Sequence, residues 1–295
     1  ATLGKWGHLL TTSTLSAGYE GQVFFVNPKG GKIYGKDVYK RIEEIDADID
    51  LAVVTIPAEH VIGLIPELEK KHVKGMLLIT SGFREVGADG AALEDELVAA
   101  ARKAGILILG PNTMGACNPH ARFYCTASSA YPLPGSTTLV CQSGNMGTQL
   151  LSFAEQQDIG IRAYSGSGNE AMVTVEDYME SFEIDELTKT VVLYVESVKD
   201  GSRFFNSARR VACKKPVVVL KGGRTQAGIH AAGSHTGAMA TDARVFDAAC
   251  RQAGVIQVDQ PMELLDLSAV FSSLPLPKGS RVGIMTLGGG WGVVA

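Results

Sequence analysis

The chain has 295 residues, 45% hydrophobic and 20% charged, a composition typical of globular proteins and a length that suits about two domains of ~100–200 residues each. A formal net charge of -4 gives no electrostatic reason to expect nucleic acid or an anionic membrane surface as a partner. No apolar run approaches the ~18 residues of a membrane span and no basic-then-apolar leader is visible, so a cytoplasmic setting is expected.

The opening residues 1–7 (ATLGKWG) read as a loop entering a helix, with no strand ahead of them. Short apolar, largely β-branched runs then predict strands at 22–27 (QVFFVN), 51–56 (LAVVTI), 76–80 (MLLIT) and 106–109 (ILIL). Between the last two, residues 91–104 carry Leu93, Leu97, Val98 and Ala101 at helical spacing, and Gly105 follows as a stop. A first α/β domain over 1–134 results, and its aperiodic end, about 117–136 with Pro119, Pro132, Pro134 and Gly135, reads as a linker. A second α/β domain over 135–278 follows, with strands at 138–141, 161–164, 191–195, 217–220 and 255–258. Its helices are expected near 145–157, 174–182, 201–212, 242–253 and 261–272. After Pro277-Lys278-Gly279 a third unit, 279–295, starts with a strand from Val282 and a helix just beginning, so both ends look cut. The fold class is α/β with parallel sheets.

Five cysteines, at 117, 125, 141, 213 and 250, include no CxxC pair; Cys141 and Cys213 sit in apolar contexts, which suits reduced, core-filling thiols. One theme recurs, a strand, a Gly/Ser turn and a helix, at 77–87, 139–151 and 283–295. Such turns offer backbone N–H groups to phosphate or carboxylate, although glycine at a tight turn is as often merely steric. The segment after strand 217–220 is rich in Gly, Ala and Ser and holds His235 in AAGSHTGA. A nucleophilic histidine needs one ring nitrogen free and the other held by an acceptor, and Glu196, at the end of strand 191–195, is the candidate acceptor. On residue type alone His235 is more often a solvated loop histidine, and Glu196 is as readily a solvated strand-end charge as an acceptor. His230, five residues before His235, does not share a helix face with it and has no cysteine or acidic cluster beside it, so no metal site is expected.

Longer strings narrow these alternatives. KPVVVLKGGRTQAG, AAGSHTGAMA and VFDAACRQAGVIQVD, with VNPKGGKIYG at 26–35, SGFREVG at 81–87, GPNTMGACNP at 110–119, CQSGNMGTQLLSFAEQQDIG at 141–160 and LYVESVKDGSRF at 193–204, resemble the NDP-forming (ADP-forming) acyl-CoA synthetases of the succinyl-CoA synthetase superfamily. The resemblance runs in order along essentially the whole chain. It implies a Rossmann-like CoA-binding domain lacking its first strand, then a flavodoxin-like domain, then the start of another. It implies a reaction between acyl-CoA, phosphate and ADP on one side and carboxylic acid, CoA and ATP on the other. His235 would be the residue transiently phosphorylated and Glu196 the carboxylate that orients it. Ser143, Gly144, Asn145, Gly168 and Asn169 would hold phosphate. Ser81, Gly82 and Phe83 would line the CoA arm, Asn27, Pro28 and Lys29 its nucleotide end, and Asn112 the acyl group or thiol. Cofactors would be CoA and ADP or ATP with Mg²⁺, the nucleotide and metal held mainly on an ATP-grasp domain or beta subunit outside this chain, within a homo- or hetero-oligomer.

The sequence departs from the family pattern in three places. The usual opening strand and Gly-Ala-Ser turn are absent, Thr113-Met114 replaces Cys-Leu after GPN, and Trp291 replaces a proline in the GGGPG turn. A regulatory CoA-binding region of a protein acetyltransferase, or a metabolite sensor, is the alternative; such relatives commonly lack the histidine that is present here. A nicotinamide-dependent dehydrogenase is disfavoured because no GxGxxG is followed by a ribose-binding acid ~20 residues on. Succinyl-CoA synthetase and ATP-citrate lyase favour a GHAGA-type loop over GSHTGA.

Overall fold

The computed structural model describes residues 4–225, 228 and 242–294. It is α/β with largely parallel sheets, as the alternation of apolar runs and amphipathic stretches predicts. Helix α1 (Trp6–Ser16) leads into a small sheet of β1 (Phe25–Val26), β2 (Lys32–Ile33) and β3 (Lys36–Tyr39), in the order β1-β3-β2. A parallel sheet follows, β4 (Leu51–Val54), β5 (Gly75–Leu78) and β6 (Leu107–Leu109), connected through α2 (Ile65–Lys70) and α3 (Ala88–Ala104). Met76, Leu78 and Ile108 of the sheet pack on Leu68, Leu97 and Ala101 of those helices, so α3 buries the face that its periodicity marks. Gly105 ends α3 in the left-handed conformation, and Ile106 N–H closes back on the Ala101 carbonyl at 2.9 Å.

The second sheet has seven strands. β9 (Pro134–Cys141), β10 (Ile161–Gly166), β11 (Thr190–Val195), β12 (Val217–Lys221) and β13 (Ile256–Val258) are parallel, and β7 (Gly115–Asn118) and β8 (Phe123–Thr126) complete it antiparallel, in the order β13-β12-β11-β9-β10-β7-β8. Buried residues such as Val192 and Leu220 face one core and Val191 and Val219 the other, which is why these strands read as continuous apolar runs and not as alternating ones. Helices cover both faces: α4 (Gly144–Gln156), α5 (Val175–Phe182), α6 (Gly201–Ala212), α7 (Ala243–Ala253) and α8 (Pro261–Ser273). Thr174 and Asp177 form a capping box on α5, and the Asp200 carboxylate accepts from Arg203 N–H at the start of α6. The chain leaves β9 toward β10 and then returns past it to β11, so the winding reverses beside β9. Ligands of open α/β sheets bind at that kind of crevice, at the carboxyl ends of the strands.

Four expectations differ from the structure. The stretch read as a linker, 117–136, supplies β8, the end of β7 and the first residues of β9. Its strands are too short for periodicity to show, and Arg122 in their turn takes a left-handed φ of 51°. The strand expected over 22–27 reduces to Phe25–Val26, which pairs with β3 in the small sheet. Residues 282–287 are not a strand, because among the described residues none pairs with them: Met285 and Leu287 are fully exposed ahead of a short helix, Gly289–Val294. Cys213 is exposed just past the end of α6, whereas Cys117, Cys125, Cys141 and Cys250 are buried. Among the described residues no helix is long and apolar enough to cross a membrane.

The outer edge of the seven-stranded sheet is β8, and α1 lies across it. Ser13 and Thr14 hydroxyls donate to the carbonyls of Ser128 and Tyr124 at 3.3 and 3.4 Å.

Candidate functional site

The turn after β4 (residues 55–57) and three further βα turns meet at the crevice beside β9. The three follow β5 (residues 79–83), β9 (142–145) and β10 (167–171), and the turn after β6 (110–114) joins them from the first sheet. Together they line a cleft of about 390 Å³. The first unit contributes Ser81, Thr80 and Asn112, with Trp6 and Pro57 as an apolar wall. Gln142, Gly144, Asn145, Gly168 and Asn169 come from the second. Among the described residues no group of three His, Cys, Asp or Glu is disposed to hold a metal ion.

The anion-binding potential lies at α4. Its N-cap residue, Ser143, makes no side-chain cap and its first turn holds no acidic residue. The first N–H groups of a 13-residue helix therefore open toward the cleft, with the positive end of the helix dipole behind them. Gln142, one residue before, is buried and staples two strand ends together. Its Oε1 accepts from Glu196 N–H at 2.6 Å and Ser197 N–H at 2.9 Å, and its Nε2 donates to the Ser197 carbonyl at 2.8 Å.

Glu196 is buried one strand over and does not line the cleft; it connects to it through Gln142. Lys221 Nζ, itself buried, donates to the Glu196 carbonyl at 2.7 Å and the Gly222 carbonyl at 2.5 Å, which fixes the ends of β11 and β12 relative to each other. Tyr194, two residues before Glu196 on the same strand face, hydrogen-bonds to its carboxylate. Burial first, and then the Glu196 charge, raise the Tyr194 phenol, and burial lowers the Lys221 ammonium. His235 and the rest of the AAGSHTGA segment, with His230, lie outside the described residues.

The other expected residues divide. Ser81, Asn112, Gly144, Asn145 and Gly168 come together at the cleft, with Ser143 adjoining. Phe83 does not face it: the ring is fully buried against the first core, leaving only its backbone near the loop. Gly82 turns the chain at φ 105° and donates its N–H to Glu85. Asn27, Pro28 and Lys29 form an exposed turn after β1, in which the Asn27 side chain accepts from Lys29 N–H at 3.0 Å, and they are not part of the cleft wall. Asn169 lines the cleft with its N–H groups already engaged. Its backbone N–H donates to the Pro111 carbonyl at 3.0 Å, and its Nδ2 donates to Glu85 at 2.5 Å and Glu94 at 3.0 Å, so no N–H remains for phosphate.

Behind this turn lies a buried charged layer that the sequence does not reveal. Glu170, two per cent exposed, accepts from the Ser167 hydroxyl at 2.8 Å, and Lys199 Nζ donates to the Asn169 carbonyl at 3.3 Å and to the Glu170 carbonyl. Burial pushes the Glu170 carboxyl up from 4.5 to about 7, against the opposing pull of Ser167, Gln142 and Lys199. Between those two values the folded chain keeps a proton that the unfolded chain has lost. Stability is therefore expected to fall as pH rises through this window and to level off above it. Glu170→Gln removes the dependence, and by about pH 8 it is expected to be more stable than the native chain by up to about 3 kcal/mol. Denaturant unfolding of both proteins at about pH 5 and about pH 8 checks this; a stability difference that does not change with pH would rule it out.

Two family models match the chain. A model of the CoA binding domain matches residues 2–119, and one of the succinyl-CoA ligase like flavodoxin domain matches 134–271. The alpha subunit of acetate–CoA ligase (ADP-forming) I of Pyrococcus furiosus is 40% identical over 296 aligned residues, which are 99% of this chain and 64% of the relative. An ADP-forming acetate–CoA ligase of Methanocaldococcus jannaschii is 37% identical over 100% of this chain and 41% of its own length. Among solved structures, a dinucleotide-forming acetyl-coenzyme A synthetase 1 of Ca. Korarchaeum cryptofilum, in complex with phosphate and ADP, superposes with a TM-score of 0.93 at 33% identity, covering 99% of this chain and 63% of that one. The chain thus spans less than two thirds of the length of the relatives it matches.

Proposed function

Because the chain belongs to the ADP-forming acyl-CoA synthetases, as their region of CoA-binding and succinyl-CoA-ligase-like domains, we propose that it takes part in interconverting acyl-CoA, phosphate and ADP with a carboxylic acid, CoA and ATP. The observation that carries this reading is the cleft itself. It sets Ser81 and Asn112 of the CoA-binding unit against the open helix start at Gly144 and Asn145 of the other. An acyl thioester and a phosphate are the two reactants that such a junction would bring together, and transfer between them depends mainly on positioning and charge stabilisation.

In this scheme phosphate sits at the N-terminus of α4 and attacks the acyl carbon of the thioester. The carbon–sulfur bond breaks, the thiolate leaves with a proton, and acyl phosphate remains. The phosphoryl group then passes to His235, and the carboxylic acid departs. The Glu196 carboxylate, on its buried strand end, orients the imidazole and balances its positive charge. Phosphohistidine finally passes its group to ADP, which with Mg²⁺ binds outside this chain on an ATP-grasp domain or partner subunit. CoA extends from the cleft over the Ser81–Gly82 turn, with its nucleotide end toward Asn27, Pro28 and Lys29.

The test uses the complete enzyme, nucleotide-binding region included, with ³²P-phosphate and acetyl-CoA. The expected product is an acid-labile, base-stable label on the polypeptide, which ADP discharges as labelled ATP. A polypeptide that takes up no label, or carries it in a hydroxylamine-sensitive acyl phosphate linkage, would sink the reading.

A further inference from the structure

The carboxamide of Asn112 can be turned over without changing its shape, exchanging oxygen for nitrogen at the cleft wall, so only its hydrogen bonds choose between the two settings. Those bonds begin in the other unit's contact with α3. Glu85 accepts the N–H groups of Gly82 and Phe83 at 2.5 and 3.3 Å through Oε1, and Glu94, buried, accepts Arg84 Nε at 2.8 Å through its own Oε1. Their remaining oxygens both point at one nitrogen, Asn169 Nδ2, at 2.5 and 3.0 Å. A carboxylate accepts and does not donate, so this pair determines which end of the Asn169 amide faces it. Asn169 Oδ1 is then turned outward and accepts from Asn112 Nδ2 at 3.3 Å. Asn112 is left with Oδ1 and one N–H that no described protein group takes, at a residue that lines the cleft.

We propose that Glu85, Glu94 and Asn169 are positioning residues that set the polarity of the Asn112 carboxamide, so that it presents one acceptor and one donor to the reacting groups. The proposal rests on the acyl-transfer reading given above. In the direction of thioester synthesis, sulfur bonds to the acyl carbon, the carbon–oxygen bond to phosphate breaks, and the thiol proton leaves with the phosphate. Oδ1 suits the S–H of the attacking thiol, and the N–H suits the acyl oxygen on which negative charge grows. Turned over, Asn112 would place two N–H groups where the thiol needs an acceptor. The relay also joins the two units, since residues 85 and 94 lie in the first and residue 169 in the second, 84 and 75 positions away. The polarity is therefore set only when the units are docked.

A double-mutant cycle on the complete enzyme tests this. Asn169→Ala is expected to lower kcat for acyl-CoA formation about 10- to 100-fold, with KM for CoA moving about threefold or less. Glu85→Gln, a change at a half-buried residue, is expected to lower the same constant by about 10-fold. In an Asn112→Ala background neither change should lower kcat further, because a residue that acts through another has no effect once that one is gone. A variant that is merely less stable would lose activity by the same factor in both backgrounds, and that result overturns the proposal. So does an Asn169→Ala enzyme within about twofold of the wild type. Absence of the histidine label in the wild type would instead remove the acyl-transfer reading itself, a failure seen before any variant is made.

Discussion

Replacing His235 by alanine is expected to abolish the phosphate label and to lower ligase turnover by about 10⁴-fold or more, since the covalent route then has no carrier. Glu196→Gln is the more informative companion. It keeps the size of the side chain and its capacity to accept a hydrogen bond, and removes only the charge. The backbone contacts that locate residue 196, Gln142 Oε1 to its N–H and Lys221 Nζ to its carbonyl, do not involve the carboxylate and persist. Turnover is expected to fall about 10²- to 10⁴-fold, the usual range for a group that orients or charge-balances a catalytic imidazole. Label accumulation and initial rates of ATP-dependent acyl-CoA formation read both effects. A Glu196→Gln enzyme that labels at the wild-type rate would leave His235 in need of another partner.

Gly168→Ala is expected to destabilise the protein by about 3–5 kcal/mol, lowering its melting temperature by on the order of 10 °C, and to cost most of the acyl-transfer activity. Two causes act together. The residue has φ 60°, where an alanine is strained, and an added Cβ would lie 2.1 Å from the Pro111 carbonyl oxygen and 2.9 Å from that of Asn112. That backbone cannot yield cheaply. It carries the Asn112 turn, and Asn169 N–H and Ala171 N–H bond to the Pro111 and Gly110 carbonyls at 3.0 Å each. Gly254→Ala separates the causes: its φ is 78°, but its Cβ would meet nothing nearer than Ala212 Cβ at 3.8 Å. That variant is expected to cost only about 1 kcal/mol. Similar melting temperatures for the two variants would show that the close approach at residue 168 carries no weight.

Much of the fold was legible in the amino-acid order, and the reason is burial. Strands such as 191–195 and 217–221 are covered on both faces, so almost every position must be apolar and the run stands out. The hairpin Gly115–Asn118 and Phe123–Thr126 is no less regular, but it is a few residues long and mixed in character, and it hides among prolines. At the site, the GPN and SGN strings stand out only through resemblance, and on residue type alone Asn112 is an ordinary polar residue and Glu196 a strand-end carboxylate that could hold a histidine. The relay and the Glu170–Lys199 layer were invisible for a different reason. A buried carboxylate is identifiable only by what meets it, and Asn169 meets Glu85 and Glu94 from 84 and 75 residues away. For Phe83, a matching string does not show which way a ring turns, and here it turns into the first core.

The helix laid across β8 bears on how the second sheet could be studied alone. A polypeptide begun at residue 134 would keep five parallel strands but lose the β7–β8 hairpin and α1. β10, whose Tyr164 and Ser165 face Cys117 and Ala116 of β7, would then become a bare outer strand with Tyr164 uncovered. Such a strand is a template for pairing with a second molecule. The fragment is expected to self-associate as its concentration rises, and one begun ahead of Gly115 to do so much less, because β10 keeps its partner; sizing chromatography across a dilution series distinguishes them. In the intact chain the hydroxyls of Ser13 and Thr14 reach that rim from more than a hundred residues away in sequence. The opening helix of the first unit thus covers the strand that ends the second sheet on this side.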